Sequence, residues 1–172
     1  DITPMREMLD AARQRLDTAF ADQPDVQAAL LQTLGTNYWT LGVFESAEAS
    51  LRRAVELFRK TKGDDDAATL AAEFDLASAL TDIGKHDESE AILRRVLDAR
   101  CRLFGPDDVQ TFNTINNLAY DIDWQGRVPE AAKLYREAYE GLKRTIGPYA
   151  VDATHAANNL AIALQTLGEA AE

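Results

Sequence analysis

The side chains here best suited to recognition chemistry are amides. Asn116-Asn117 and Asn158-Asn159 stand 42 residues apart, and each amide carries both hydrogen-bond donors and an acceptor. A row of such groups can pair with the backbone of an extended peptide whatever its side chains. At the matching positions earlier in the chain stand Phe74 and Asp75, then Gln32 and Thr33. Trp39, Tyr120 and Trp124 add large surfaces with few rotamers and a polar edge, while Asp75, Asp82 and Asp123 favour Lys or Arg on a ligand. Plainer readings stay open beside this one. An Asn in mid-helix can be simply solvated, Trp39 can pack between neighbouring helices, and Trp124 can pack at a helix end.

Catalytic and metal chemistry find little footing. His155 has no Cys or second His at zinc-ligand spacing. His86 follows Gly84 by two residues and reads as an exposed turn residue. Cys101 aligns with Arg59 and Lys143, a polar column that predicts partial exposure, and it lacks a nearby base to make it a nucleophile. Asp64-Asp65-Asp66 lacks the spaced ligands and distal Glu of a calcium loop and reads as acids favoured at a helix start. No phosphate-cradling glycine motif occurs. The expectation is a non-enzyme with no cofactor and no metal.

The elements that position these residues follow from an internal repeat. Gly42, Gly84, Gly126 and Gly168 are spaced by 42 every time. Seven residues before each lies Gly35, Ala77, Ala119 or Ala161, and eight before lies Leu34, Leu76, Leu118 or Leu160. Tyr38, Leu80, Ile122 and Leu164 precede the same glycines by four. Past the first three come Ala47, Ser89 and Ala131, then Leu51, Leu93 and Tyr135, then Ala54, Val96 and Ala138. A second column, Gly63, Gly105 and Gly147, keeps the period. Each unit reads as two helices, since Leu34, Tyr38 and Leu41 share one helical spacing and Leu51, Ala54, Val55 and Phe58 another. The predicted helices are 4–20, 25–41, 45–61, 67–83, 87–104, 108–124, 129–145 and 151–167. Thr3-Pro4 offers an N-cap followed by proline.

The predicted organisation is one array over 1–172. Residues 1–20 are the second helix of a preceding unit, 25–66, 67–108 and 109–150 are whole units, and 151–172 opens a further one. A start at Asp1 with no charged-then-apolar leader reads as a mature product or an excised segment, and the absence of a polar capping helix reads as a segment of a longer protein. The second helices carry Arg52, Arg94 and Arg136, each four residues before Glu56, Asp98 or Glu140. Such pairs are worth about 0.2–0.5 kcal/mol at best and predict a solvated, self-neutralising convex face.

Composition bounds the partners. Of 172 residues, 46% are hydrophobic and 27% charged, which excludes disorder as the main state. Acids outnumber bases 29 to 18 for a net charge of −11, arguing against nucleic acid and against anionic lipid. No apolar run reaches the roughly 18 residues of a membrane span, and the single cysteine forbids an internal disulfide. The compartment expected by default is cytoplasmic, with a domain outside the membrane, beyond a kinase's anchor, as the alternative. Arginine supplies 13 of the 18 bases, which hints at a GC-rich bacterium.

The column order resembles the tetratricopeptide repeat, whose usual unit is about 34 residues. The longer unit here resembles the repeats of kinesin light chains. Asn116-Asn117-Leu118-Ala119 and Asn158-Asn159-Leu160-Ala161 match their Asn-Asn-Leu-Ala signature, and Phe104-Gly105-Pro106-Asp107 resembles their inter-repeat loop without its His-Pro. Residues 20–58 also resemble the repeats that follow the kinase module in some large bacterial serine/threonine kinases, although no kinase signature occurs in the chain. The resemblance implies an all-α, right-handed superhelical solenoid of antiparallel helix pairs, with the first helix of each pair lining a concave face. It implies a non-catalytic module that binds an extended peptide or protein segment there, and the same use for the two Asn pairs, while the acids Asp75, Asp82 and Asp123 add the expectation of a basic ligand. The expected site is Gln32, Thr33, Trp39, Asp75, Asp82, Asn116, Asn117, Tyr120, Asp123, Trp124, Asn158 and Asn159. No Lys or Arg falls in these columns, which disfavours clamping of a carboxylate terminus. The rival expectation is structural: self-association through uncapped ends, or a spacer positioning an attached effector such as a kinase.

Overall fold

A computed structural model describes residues 2–169. The described residues form α1 (Thr3–Ala19), α2 (Pro24–Thr40), α3 (Phe44–Lys62), α4 (Ala67–Asp82), α5 (His86–Leu103), α6 (Val109–Trp124), α7 (Val128–Ile146) and α8 (Val151–Glu169). Two compact units divide between Ile83 and Gly84, the first holding α1–α4 and the second α5–α8.

The two glycine columns end the helices in two ways. Gly42, Gly84 and Gly126 take φ of 73°, 79° and 80°, and Gly63, Gly105 and Gly147 take 94°, 95° and 93°. A side chain rarely tolerates such backbone, so glycine is needed at both. At Gly42 the turn satisfies orphan carbonyls twice over, Gly42 N–H donating to Trp39 O at 2.9 Å and Val43 N–H to Tyr38 O at 2.9 Å. The turn expected at Gly168 does not occur. Glycine permits a left-handed turn without compelling one, and α8 continues through Gly168 to Glu169. The second helix expected to start there falls on Ala170-Ala171-Glu172, outside the described residues. At α1, Ile2 rather than Thr3 holds the cap position, without a side-chain cap bond.

In the first unit the apolar columns meet as expected, with Tyr38, Leu51, Ala54, Leu70 and Leu80 fully buried. At Gly35 α2 comes close to α3, and an added Cβ would stand 2.6 Å from Leu51 Cγ. Contacts also join α2 to α4. Bonds Gln32–Asp75 and Trp39–Asp82 run in the same order along both, so these helices are parallel neighbours. The second unit repeats the plan around Leu93, Val96, Leu118, Ile122, Tyr135 and Leu142. Phe112, Ile115, Ala138, Leu142, Ala153 and Ala156 form a cluster joining α6, α7 and α8. Gly141 lies directly under the Phe112 ring, which a Cβ would overlap. Among the described residues no helix is long and apolar enough to cross a membrane.

Candidate peptide-binding site

In the first unit the expected site residues on α2 and α4 find one another. Gln32 Nε2 donates to Asp75 Oδ2 at 2.7 Å, and Trp39 Nε1 donates to Asp82 Oδ2 at 2.5 Å. Both partners lie 43 residues on, one beyond the repeat period. Thr33 stays exposed and turns its hydroxyl back to Ala29 O at 2.9 Å. An amide or indole donor from α2 thus holds a carboxylate from α4 at two levels of the face they share.

The second unit builds the same ladder from different residues. Asn159 Nδ2 donates to Asn116 Oδ1 at 3.3 Å, again 43 residues apart, and Asn113 Nδ2 donates to Asp152 Oδ2 at 2.9 Å. Asn117 is half-buried and Asn158 exposed. Asp123 is half-buried, and burial raises its carboxyl above the ordinary range.

Tyr120 and Trp124 are brought together on α6, ring centroids 6.2 Å apart and tilted by 53°. Trp124 does not bury itself at the helix end but remains 64% exposed. The His86 ring stacks on the indole in an offset arrangement, centroids 5.4 Å apart with an interplanar angle of 8°. His86 is therefore no free turn residue, as its place after Gly84 had suggested. It opens α5, and its Nδ1 meets Asp121 Oδ1 at 2.9 Å, with the Asp121 side chain wholly buried. Beside this group runs a groove lined by Gly84, Lys85, His86, Asp87, Glu88 and Gln125. His86 and Asp121 were missed by sequence reasoning, although a signal existed. Of the aligned residues, Ala79 and Ala163 are buried alanines and Asn37 is exposed, so a buried carboxylate at 121 departs from its column.

The arginine column pairs differently from expectation. Arg52 reaches back to Glu48 at 2.8 Å and Arg94 back to Glu90 at 2.7 Å, rather than forward to Glu56 and Asp98. Placing Glu before the base is the favoured orientation on a helix. Glu56 instead takes Arg53 and Lys60. Cys101 is half-buried, and burial pushes its thiol up, away from a reactive thiolate. Asp66 caps α4 by accepting from Ala68 N–H at 2.9 Å. Among the described residues no group of three or more His, Cys, Asp or Glu side chains is placed to hold a metal.

Two family models, both described as tetratricopeptide repeat, match residues 25–102 and 111–149, together more than half of the chain. No curated protein sequence shows significant similarity. Solved structures do. The nearly identical TPR-like repeats of a Podosopora anserina kinesin light chain are 20% identical with a TM-score of 0.73, covering 96% of this chain and 81% of that one. BtubC (BKLC) from P. vanneervenii is 19% identical with a TM-score of 0.71, covering 96% of this chain and 65% of that one. MamA is 19% identical with a TM-score of 0.56, covering 99% and 95%. At these identities the likeness shows the fold, an all-α solenoid of paired helices.

Proposed function

The chain belongs to the tetratricopeptide repeat family, whose general role is protein–protein interaction, and from that premise we propose that it binds an extended, basic peptide or protein segment along its first-helix faces. The observation carrying this reading is the ladder of donor–acceptor pairs between alternate helices, Gln32–Asp75 and Trp39–Asp82 in one unit and Asn116–Asn159 in the other. Each pair holds polar groups in fixed rotamers on a partly exposed face, which lowers the ordering cost of meeting a ligand. Amides of Gln32, Asn116, Asn117, Asn158 and Asn159 and the Thr33 hydroxyl serve the ligand backbone. Trp39, Tyr120 and Trp124 act as anchors, and Asp75, Asp82 and Asp123 select basic side chains.

An array of short peptides of varied charge tests this reading, comparing the native chain with an Asn117→Ala, Asn159→Ala, Asp75→Lys variant. The expected outcome is native binding biased to basic peptides and weakened at least about tenfold in the variant, the scale of losing anchoring polar contacts. Equal binding by both proteins, or none by either, overturns the site. A second reading, self-association, is favoured by Ile162 and Leu164 on α8, which stay 53% and 42% exposed. A concentration-dependent mass abolished by Ile162→Glu would support it.

A further inference from the structure

Three residues that break the repeat pattern meet at one place in the second unit. In the column of Asp121 the chain carries the exposed Asn37 and the buried alanines Ala79 and Ala163. In the column of His86 it carries Phe44 and Val128, and in that of Trp124 the polar Thr40, Asp82 and Thr166. Where the pattern places an exposed amide or a buried alanine, an apolar residue and a polar one, the structure holds a buried carboxylate, an imidazole and an indole in contact. The arrangement is costly. Burying a carboxylate is unfavourable unless it is paired, and 64% exposure of a tryptophan leaves most of its apolar surface in water. What it achieves is a fixed ring: Asp121 holds His86, and His86 stacks, offset, on Trp124. Most of the indole stays exposed, with Tyr120 at a tilt beside it.

We propose that Trp124 is a preorganised platform for an arginine side chain of the bound peptide, with His86 and Asp121 as the positioning residues that hold it. The inference rests on the peptide-binding reading and names the side chain that this part of the site takes. An indole face attracts cations through its quadrupole. An exposed indole without an enclosing cage suits a flat guanidinium, which stacks and is weakly hydrated, better than a compact, strongly hydrated ammonium. The surroundings favour a cation as well, since Asp87 and Glu88 outnumber Lys85 in the lining of the adjoining groove and the chain carries a net charge of −11. The nearby Arg127 is already held by Glu90 and Glu130 at 3.0 and 2.7 Å.

The test uses an eight-residue peptide with one central arginine, its lysine and citrulline counterparts, and calorimetry on the native chain. Citrulline keeps the shape and loses the charge. Arginine is expected to bind about three- to fivefold tighter than citrulline, the size of an exposed cation–π contact, with lysine between them. The ratio should fall to one in Trp124→Ala. Because removing His86 alone would orphan a buried carboxylate, positioning is tested with paired changes that return position 121 to its column's alanine. Asp121→Ala with His86→Phe keeps a flat ring beneath the indole and should keep the arginine preference. Asp121→Ala with His86→Val removes that ring and should lose it. Equal affinity for arginine and citrulline in the native chain, or a preference that survives Trp124→Ala, overturns the platform while leaving peptide binding intact. If none of the peptides binds, the peptide-binding reading itself fails. The Trp124 indole N–H resonance, followed during titration with N-acetylarginine amide, then decides the platform alone, absence of a saturable shift overturning it.

Discussion

Tyr38 shows what one residue adds to an otherwise apolar column. Its aligned partners Leu80, Ile122 and Leu164 carry no hydroxyl, whereas Tyr38 is fully buried and donates to Asp10 Oδ1 on α1 at 2.7 Å. Burial first, and the bond to Asp10 second, push its phenol from 10.0 up to about 12. The phenol of Tyr135, also buried, is pushed up for the same leading reason. Because the native pKa lies above the unfolded one, the stabilisation is fully present below pH 10.0 and is lost as pH rises through about 12. Absorbance at 295 nm should therefore show part of the tyrosine titration lagging beyond pH 10.0 until unfolding releases it. Tyr38→Phe should cost about 0.5–1.5 kcal/mol at neutral pH, one net hydrogen bond, and should shrink the alkaline loss of stability. A full-sized titration lag in Tyr38→Phe would place its origin elsewhere.

At the scale of elements, the loops between repeats share a device that the third lacks. Asp66 caps α4 by accepting from Ala68 N–H, and Asp108 caps α6 by accepting from Gln110 N–H at 2.8 Å. Three residues on, Thr69 and Thr111 donate to the carbonyls of Gly63 and Gly105 at 2.8 and 2.9 Å. The corresponding positions before α8 are Ala150 and Ala153. Asp108→Ala should destabilise by about 0.5–2 kcal/mol, and Ala150→Asp should stabilise by a similar amount, since each removes or installs one N-terminal cap. Thermal unfolding followed by circular dichroism checks both, and an Ala150→Asp variant that melts lower refutes the transfer of the device. Helix positions were legible in the sequence because the glycines and leucines recur at a fixed period. The expected limits differ from the observed ones by at most two residues. Partnerships within the candidate site were less legible for the same reason. A 42-residue alignment groups residues that occupy equivalent positions, but Gln32, Trp39 and Asn116 bond to residues 43 further on. Side chains lean along their helix rather than straight across, so the neighbour met is not the neighbour aligned. The His86 stack was hidden because a residue two after a glycine reads as a turn, while its carboxylate partner lies 35 residues away.

For the whole molecule, net charge decides how the proposed ligand arrives. With 29 acids against 18 bases, a basic peptide is attracted before any contact forms, and such attraction raises the association rate more than it slows dissociation. The ladder amides and the indole face act only at contact, where salt screens them little. The two contributions are therefore separable by ionic strength. Affinity for an arginine-bearing peptide should fall by roughly tenfold between about 0.05 and 0.5 M NaCl as the screening length shortens, with most of the change in the association rate. The arginine-to-citrulline ratio should fall less steeply, because stacking on Trp124 is short-ranged. Stopped-flow association measured across that salt series provides the test. A salt-independent association rate would mean that the acidic surface plays no part in capture, and that selection for basic ligands rests on the residues of the site alone.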